Sequence, residues 1–150
     1  MFFKEELEKI EGNIEVYIDM DGVIADFDVG NPKDYDKKRA LKDSITKLEE
    51  ISKMPNVNMH ILSITRMSSG IEEKNNWLDK FAPFFKKENR IIISREENNF
   101  ENSADLKTDY LKKHLTKGIT ILVDDDIRVI DKIKEEVPEV KLYKDTCLVD

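Results

Sequence analysis

Two aspartates one residue apart, Asp19 and Asp21, close the apolar run Val16-Tyr17-Ile18 and are followed at once by Gly22. The run is built of β-formers and bounded by Gly12-Asn13 and Gly22, so it reads as a short buried strand that ends in acids. In open α/β sheets ligands bind at the carboxyl ends of the strands. Two carboxylates this close repel each other unless a cation or a shared proton sits between them. A plain acidic turn would use the same residue types, so a second acidic cluster carries weight. Ile119-Thr120-Ile121-Leu122-Val123 runs directly into Asp124-Asp125-Asp126. Two such strands in one parallel sheet deliver several carboxylates to one rim. Hard oxygen donors suit Mg²⁺, which keeps several waters and commonly shares its sites with phosphate. There is no His/Cys cluster for zinc: His60 falls within a strand and His114 near a helix end. Of the three consecutive acids, Asp126 is placed to cap the helix that follows.

A second strand ends in Ser63-Ile64-Thr65-Arg66. Either hydroxyl could bind a phosphate oxygen or simply finish a strand. Ser63 is the choice, because it directly follows the strongly apolar pair Ile61-Leu62. Lys107 lies near the start of the helix that leads into the Ile119 strand and could reach the same rim, although lysines are common on solvated helix faces. Arg66, Lys74 and Arg95 are the remaining basic candidates for substrate binding, near strand ends or on the helix beyond.

The elements that must position these residues alternate. Helical spacing is expected over 2–11, 36–53, 70–81, 103–115 and 127–137, and strands over 15–18, 57–64, 90–94, 119–123 and 140–143. Pro55, Pro83 and Pro138 stand at or just beyond helix ends. Strands alternating with helices imply a parallel sheet covered on both faces, and nearly continuous apolar strands fit burial on both sides. The expectation is an α/β, three-layer Rossmann-like, five-stranded parallel sheet with helices on both faces. Right-handed crossovers would bring the strand carboxyl ends to one edge.

Composition agrees with a soluble globular protein: 38% of the 150 residues are charged and 39% hydrophobic. The length and the absence of linkers or repeats point to a single domain over 1–150. No apolar run is long enough to span a bilayer, and the first residues do not read as a signal peptide. A single cysteine, Cys147, excludes an internal disulfide and fits a cytoplasmic protein. The net charge of −7 argues against broad nonspecific nucleic-acid binding but leaves room for a local basic patch.

Taken together, Asp19-Met20-Asp21-Gly22-Val23, then Ser63 or Thr65, then Lys107, then Asp124-Asp125, resemble in order the four motifs of the haloacid dehalogenase (HAD) superfamily of phosphohydrolases. Ile61-Leu62-Ser63, Glu73-Lys74-Asn75-Asn76-Trp77-Leu78, Ile92-Ile93-Ser94-Arg95 and Leu122-Val123-Asp124-Asp125 are further similar to its 5'(3')-deoxyribonucleotidase branch. The chain departs from that branch in two places. Only about residues 28–35 are available for a cap, where the branch has a sizeable helical one, and the branch's third-motif lysine lies closer to the paired aspartates than Lys107 does. A capless member also resembles the 3'-phosphatase domain of polynucleotide kinases.

The resemblance implies a Mg²⁺-dependent phosphomonoester hydrolase. Asp19 would be the nucleophile that forms an aspartyl-phosphate, and Asp21 the acid and then the base. Asp19, the main-chain carbonyl of Asp21, Asp124 and Asp125 would hold the metal. Ser63 or Thr65, Lys107 and Arg95 would bind substrate. The expected substrate is a nucleotide, with a phosphate at a nucleic-acid end as the alternative. Two other classes share part of this residue set: a receiver-like phosphoacceptor and a noncatalytic HAD-like binding protein.

Overall fold

A computed structural model describes residues 2–26 and 35–149. The short stretch expected to take the place of a cap, about residues 28–35, lies almost wholly outside the described residues. Five parallel strands, β1 (Ile14–Ile18), β2 (Val57–Thr65), β3 (Arg90–Ser94), β4 (Ile119–Asp124) and β5 (Lys141–Lys144), form one sheet in the order β3-β2-β1-β4-β5. The helices are α1 (Phe2–Glu8), α2 (Lys42–Ser52), α3 (Ser69–Phe81), α4 (Ser103–Lys113) and α5 (Ile127–Glu136). This is the α/β Rossmann-like architecture that the alternation of elements implies. No helix is long and apolar enough to cross a membrane among the described residues.

Strand alternation divides the core in two. Ile14, Val16 and Ile18 of β1, Val57, Met59 and Ile61 of β2, and Ile121 and Val123 of β4 pack on one side with residues of α1, α2 and α3. Tyr17, Leu62 and Leu122 point to the other side, against Leu111 of α4 and Val129 and Ile133 of α5. Side chains alternate across a strand, so this division fixes where each rim residue points. Ile18 pairs with Val123, and the Asp19 amide continues the ladder by donating to the Val123 carbonyl at 3.0 Å. Asp19 and Asp124 are therefore neighbours on the α4 side. By the same alternation Ser63, two residues beyond Ile61, points to the α3 side.

Residues 36–41 are not the start of α2, as their spacing suggests. Residues 35–37 form one 3₁₀ turn, and the chain then runs back along the acidic motif. Ala40 bridges Ala25, the Asp26 amide donates to the Arg39 carbonyl, and the Leu41 amide donates to the Ile24 carbonyl. The backbone groups that a helix would use are committed to tertiary pairing instead. Met20, flanked by the two acids, is fully buried in the core, and its carbonyl accepts the amides of Val23, Ile24 and Ala25. It anchors the turn after β1.

Candidate active site

The carboxyl ends of β1 and β4 meet at a buried lysine. Lys107 is placed by α4, whose N-cap Asn102 accepts the Asp105 amide. Its Nζ lies 2.9 Å from Asp19 Oδ1 and 2.6 Å from Asp124 Oδ2, with all three residues buried. Burial, partly opposed by Lys107, pushes the Asp19 carboxyl up to about 6. Burial and then the charge of Asp19 push Asp124 to about 6 as well. Burial works against the ammonium of Lys107, but the two carboxylates outweigh it and raise its pKa.

Asp125 completes an acidic group. One oxygen each from Asp19, Asp124 and Asp125 lies within 4.8 Å of the others. Gly22 makes this possible. It adopts φ +82, and a Cβ there would lie 2.0 Å from Asp125 Oδ2. Asp126 does not join the group. It is the N-cap of α5, accepting the Arg128 amide at 2.9 Å, and its carboxylate also pairs with the Arg128 guanidinium. Three oxygen donors of mixed burial, with no nitrogen or sulfur ligand beside them among the described residues, fit a hard divalent cation such as Mg²⁺.

The α3 side carries a second set of cations. Lys74 is buried and donates to the Ser63 hydroxyl at 2.7 Å, the Ile64 carbonyl at 2.8 Å and Asp21 Oδ2 at 3.2 Å. Lys38 reaches Asp21 Oδ1 at 2.7 Å. Burial alone would raise the Asp21 carboxyl, but Lys74 and Lys38 hold it below the usual carboxylate range. Burial draws the Lys74 ammonium below the usual lysine range. Tyr35 is buried beside both lysines, its ring 4.7 Å from Lys38 Nζ and 5.3 Å from Lys74 Nζ.

Asp19, Asp21, Asp124, Asp125 and Lys107 line one cavity of about 370 Å³ at the strand ends. Ser63 is buried and does not line this cavity; its hydroxyl accepts from Lys74. The Thr65 hydroxyl donates to the Met67 carbonyl of the following loop at 3.3 Å. Arg95 is not at the acids. Its guanidinium donates to the carbonyls of Phe100 and Glu101 at 2.8 Å each, and it lines the neighbouring cavity. Arg66 is exposed on the loop after β2. The sequence marks Lys74 only as one of three basic candidates for substrate binding, and gives no sign of Lys38 or Tyr35. Lys74 had a legible signal: Trp77, Leu78 and Phe81 follow it at helical spacing, so it shares their inward face.

No protein-family model matches the chain, and no curated protein sequence does. Solved structures resemble it in fold. A chain of the Pnkp1/Rnl/Hen1 RNA repair complex aligns with a TM-score of 0.68 at 17% identity, over 88% of this chain and 42% of that one. A chain of a second Pnkp1/Rnl/Hen1 complex structure aligns with a TM-score of 0.69 at 16% identity, over 91% of this chain and 47% of that one. The chain spans less than half the length of either, and at these identities the likeness is one of fold.

Proposed function

We propose that the protein is a Mg²⁺-dependent phosphomonoester hydrolase of the HAD type, acting on the phosphate of a nucleotide or of a nucleic-acid end. The observation that carries this reading is the convergence of Asp19, Asp124 and Asp125 around Lys107 at the carboxyl edge of the sheet. Asp19, Asp124 and Asp125 would hold the cation, together with the Asp21 carbonyl that the family resemblance implies. When bound, Mg²⁺ supplies positive charge to the phosphoryl oxygens and screens the carboxylates from one another.

Asp19 attacks phosphorus, and the leaving alcohol departs with a proton. The aspartyl-phosphate is then hydrolysed by a water that gives up a proton. Asp21 is the group for both proton transfers. In the free protein its two lysines hold it ionised, which is the form that takes a proton from water. For it to act as an acid, the lysines must loosen their hold. An incoming phosphate dianion offers Lys74 a better partner than Asp21, and that shift would raise the Asp21 carboxyl. Lys107 stays between Asp19 and Asp124 and keeps the nucleophile ionised and oriented. Ser63 holds Lys74 in place through its hydroxyl.

For the substrate, the fold likeness to chains of an RNA repair complex supports a nucleic-acid end, and the deoxyribonucleotidase-like spacing supports a free nucleotide. Phosphate release from p-nitrophenyl phosphate, nucleoside 5'- and 3'-monophosphates, sugar phosphates and end-phosphorylated oligonucleotides, with Mg²⁺ and with EDTA, tests the proposal. Release that needs Mg²⁺ and favours nucleotide phosphates is expected. No release from any of them, or a sugar phosphate cleaved far faster than any nucleotide, would refute it.

A further inference from the structure

Among the described residues, the Tyr35 hydroxyl is the only buried side-chain oxygen or nitrogen without a hydrogen-bond partner. Stranding a hydroxyl away from water costs free energy, and native structures seldom carry one without a use. Lys38 Nζ lies 4.7 Å and Lys74 Nζ 5.3 Å from the centre of the Tyr35 ring. The same two ammonium groups hold the two oxygens of Asp21, Lys38 on Oδ1 at 2.7 Å and Lys74 on Oδ2 at 3.2 Å. Burial, and then the charge of Asp21, raise the Tyr35 phenol above its ordinary pKa. The hydroxyl thus stands beside a carboxylate whose two oxygens are already taken.

The segment that carries Tyr35 and Lys38 is held from two sides. Trp77 of α3 donates its indole N–H to the Lys38 carbonyl at 3.1 Å, and its ring meets the Tyr35 ring edge-on at 6.0 Å. Just beyond, the Asp26 amide donates to the Arg39 carbonyl, and the Leu41 amide to the Ile24 carbonyl. Residues 35–41 are thereby tied both to α3 and to the turn that follows Asp21. The Lys38 side chain is only 9% exposed, so it is not a solvated lysine. The grip of Lys74 on Asp21 is the weaker one. Of its three bonds, those to the Ser63 hydroxyl and the Ile64 carbonyl are 2.7 and 2.8 Å, and the one to Asp21 is the longest. That bond yields first when a dianion arrives, and it leaves Asp21 Oδ2 short of a donor.

We propose that Tyr35 and Lys38 are positioning residues for Asp21: when a substrate phosphate draws Lys74 off Asp21 Oδ2, the Tyr35 hydroxyl donates to that oxygen while Lys38 keeps Oδ1. A carboxylate oxygen accepts more than one bond, so Asp21 holds its orientation and still has a lone pair for the travelling proton. The part played by the phosphate rests on the phosphatase reading. The bond from Tyr35 to Asp21 once Lys74 has left does not.

The test has two arms on the full chain. In the first, Lys74→Met stands in for the departure of Lys74, and Tyr35→Phe is compared in the parent and in that background by urea unfolding at pH 7.5 in EDTA, followed by circular dichroism. In the parent, Tyr35→Phe removes only an unpartnered hydroxyl, and the folding equilibrium should stay or shift toward the folded state. In Lys74→Met it should shift toward the unfolded state by about tenfold or more, the size of a lost hydrogen bond to a charged group. Equal effects in the two backgrounds would overturn the proposal. In the second arm, phosphate release with Mg²⁺ is measured on phenyl and p-nitrophenyl phosphate. Tyr35→Phe should lower kcat/KM on phenyl phosphate about tenfold, part of the roughly 10²–10⁴-fold that a positioned acid supplies. The loss should fall on kcat with KM unchanged, and it should be smaller on p-nitrophenyl phosphate, whose leaving group needs a proton less. Lys38→Met should show the same pattern and Lys38→Arg should restore part of it. Parental kcat/KM in Tyr35→Phe, or an equal loss on both esters, would overturn the proposal. The kinetic arm needs no change at Lys74, so it decides the matter should Lys74→Met not fold. A parent that releases no phosphate while the stability difference appears would count against the hydrolase reading alone.

Discussion

Replacing Lys107 by methionine removes the one cation shared by two buried acids while keeping most of the side-chain stem. Its Nζ lies 2.9 Å from Asp19 and 2.6 Å from Asp124. Removing one partner of a buried ion pair costs about 3–5 kcal/mol, because it strands the opposite charge. That is a large part of the roughly 5–15 kcal/mol that holds a domain together. The size of the loss should depend on pH. A carboxyl whose folded pKa is raised contributes stability below its unfolded pKa, and that stability is lost as pH rises through the folded value. With Lys107 present, Asp19 and Asp124 both stand at about 6. Without it they move higher still. At pH 5 both acids are then mostly neutral in either protein, and the variant gives up little. At pH 7.5 it should show the full loss. Urea unfolding in EDTA, followed by the fluorescence of the single tryptophan, Trp77, which is buried, measures this directly. Added Mg²⁺ should return much of the stability at pH 7.5, by taking the lysine's place as the counter-charge. An equal loss at both pH values, or less than about 1 kcal/mol at pH 7.5, would refute a buried three-group charge cluster.

Other perturbations address the cation site. Asp124→Ala should weaken Mg²⁺ binding far more than Asp126→Ala, which should instead cost about 1 kcal/mol through the lost helix cap; calorimetric titration and melting curves separate the two, and the reverse order would move the ligand. Bound ligands must be deprotonated, so apparent Mg²⁺ affinity should fall about tenfold per carboxylate between pH 7 and pH 5. A flat profile would show that Asp19 and Asp124 do not both bind the metal. Gly22→Ala should lower stability by about 1–2 kcal/mol through its left-handed backbone. It should also weaken Mg²⁺ binding about tenfold by displacing Asp125, an effect of the size seen when residues supporting a metal ligand are changed. Unchanged metal affinity would show that Asp125 does not need its present position.

Much of the arrangement was legible because it follows from strand alternation and register. A strand ending in Asp19 beside a strand ending in Asp124 places both acids on one face, and the helix before β4 covers that face, so Lys107 falls between them. Asp126 was readable as a cap from its position before an amphipathic helix. The α3 side was harder. Lys74 sits among Glu72, Glu73, Asn75 and Asn76, a run that looks solvated unless the spacing to Trp77 and Leu78 is weighed. Lys38 and Tyr35 carry no local signal at all. They reach Asp21 because residues 39–41 pair with residues 24–26, a long-range pairing outside the main sheet that periodicity does not encode. The apolar residues of that same segment, Ala40 and Leu41, are what made it resemble the start of a helix. Arg95 has the right charge at a strand end, but the main-chain carbonyls of its own loop claim its guanidinium.

In the proposed reaction Asp19 takes the phosphoryl group in the course of turnover. Rapid acid quench with a radiolabelled phosphate monoester and Mg²⁺ tests it most directly. An acid-stable labelled protein should form before free phosphate, decay as phosphate appears, and be absent from Asp19→Asn. Phosphate release from Asp19→Asn at near the parent rate, or label that stays on the protein without turnover, would contradict it.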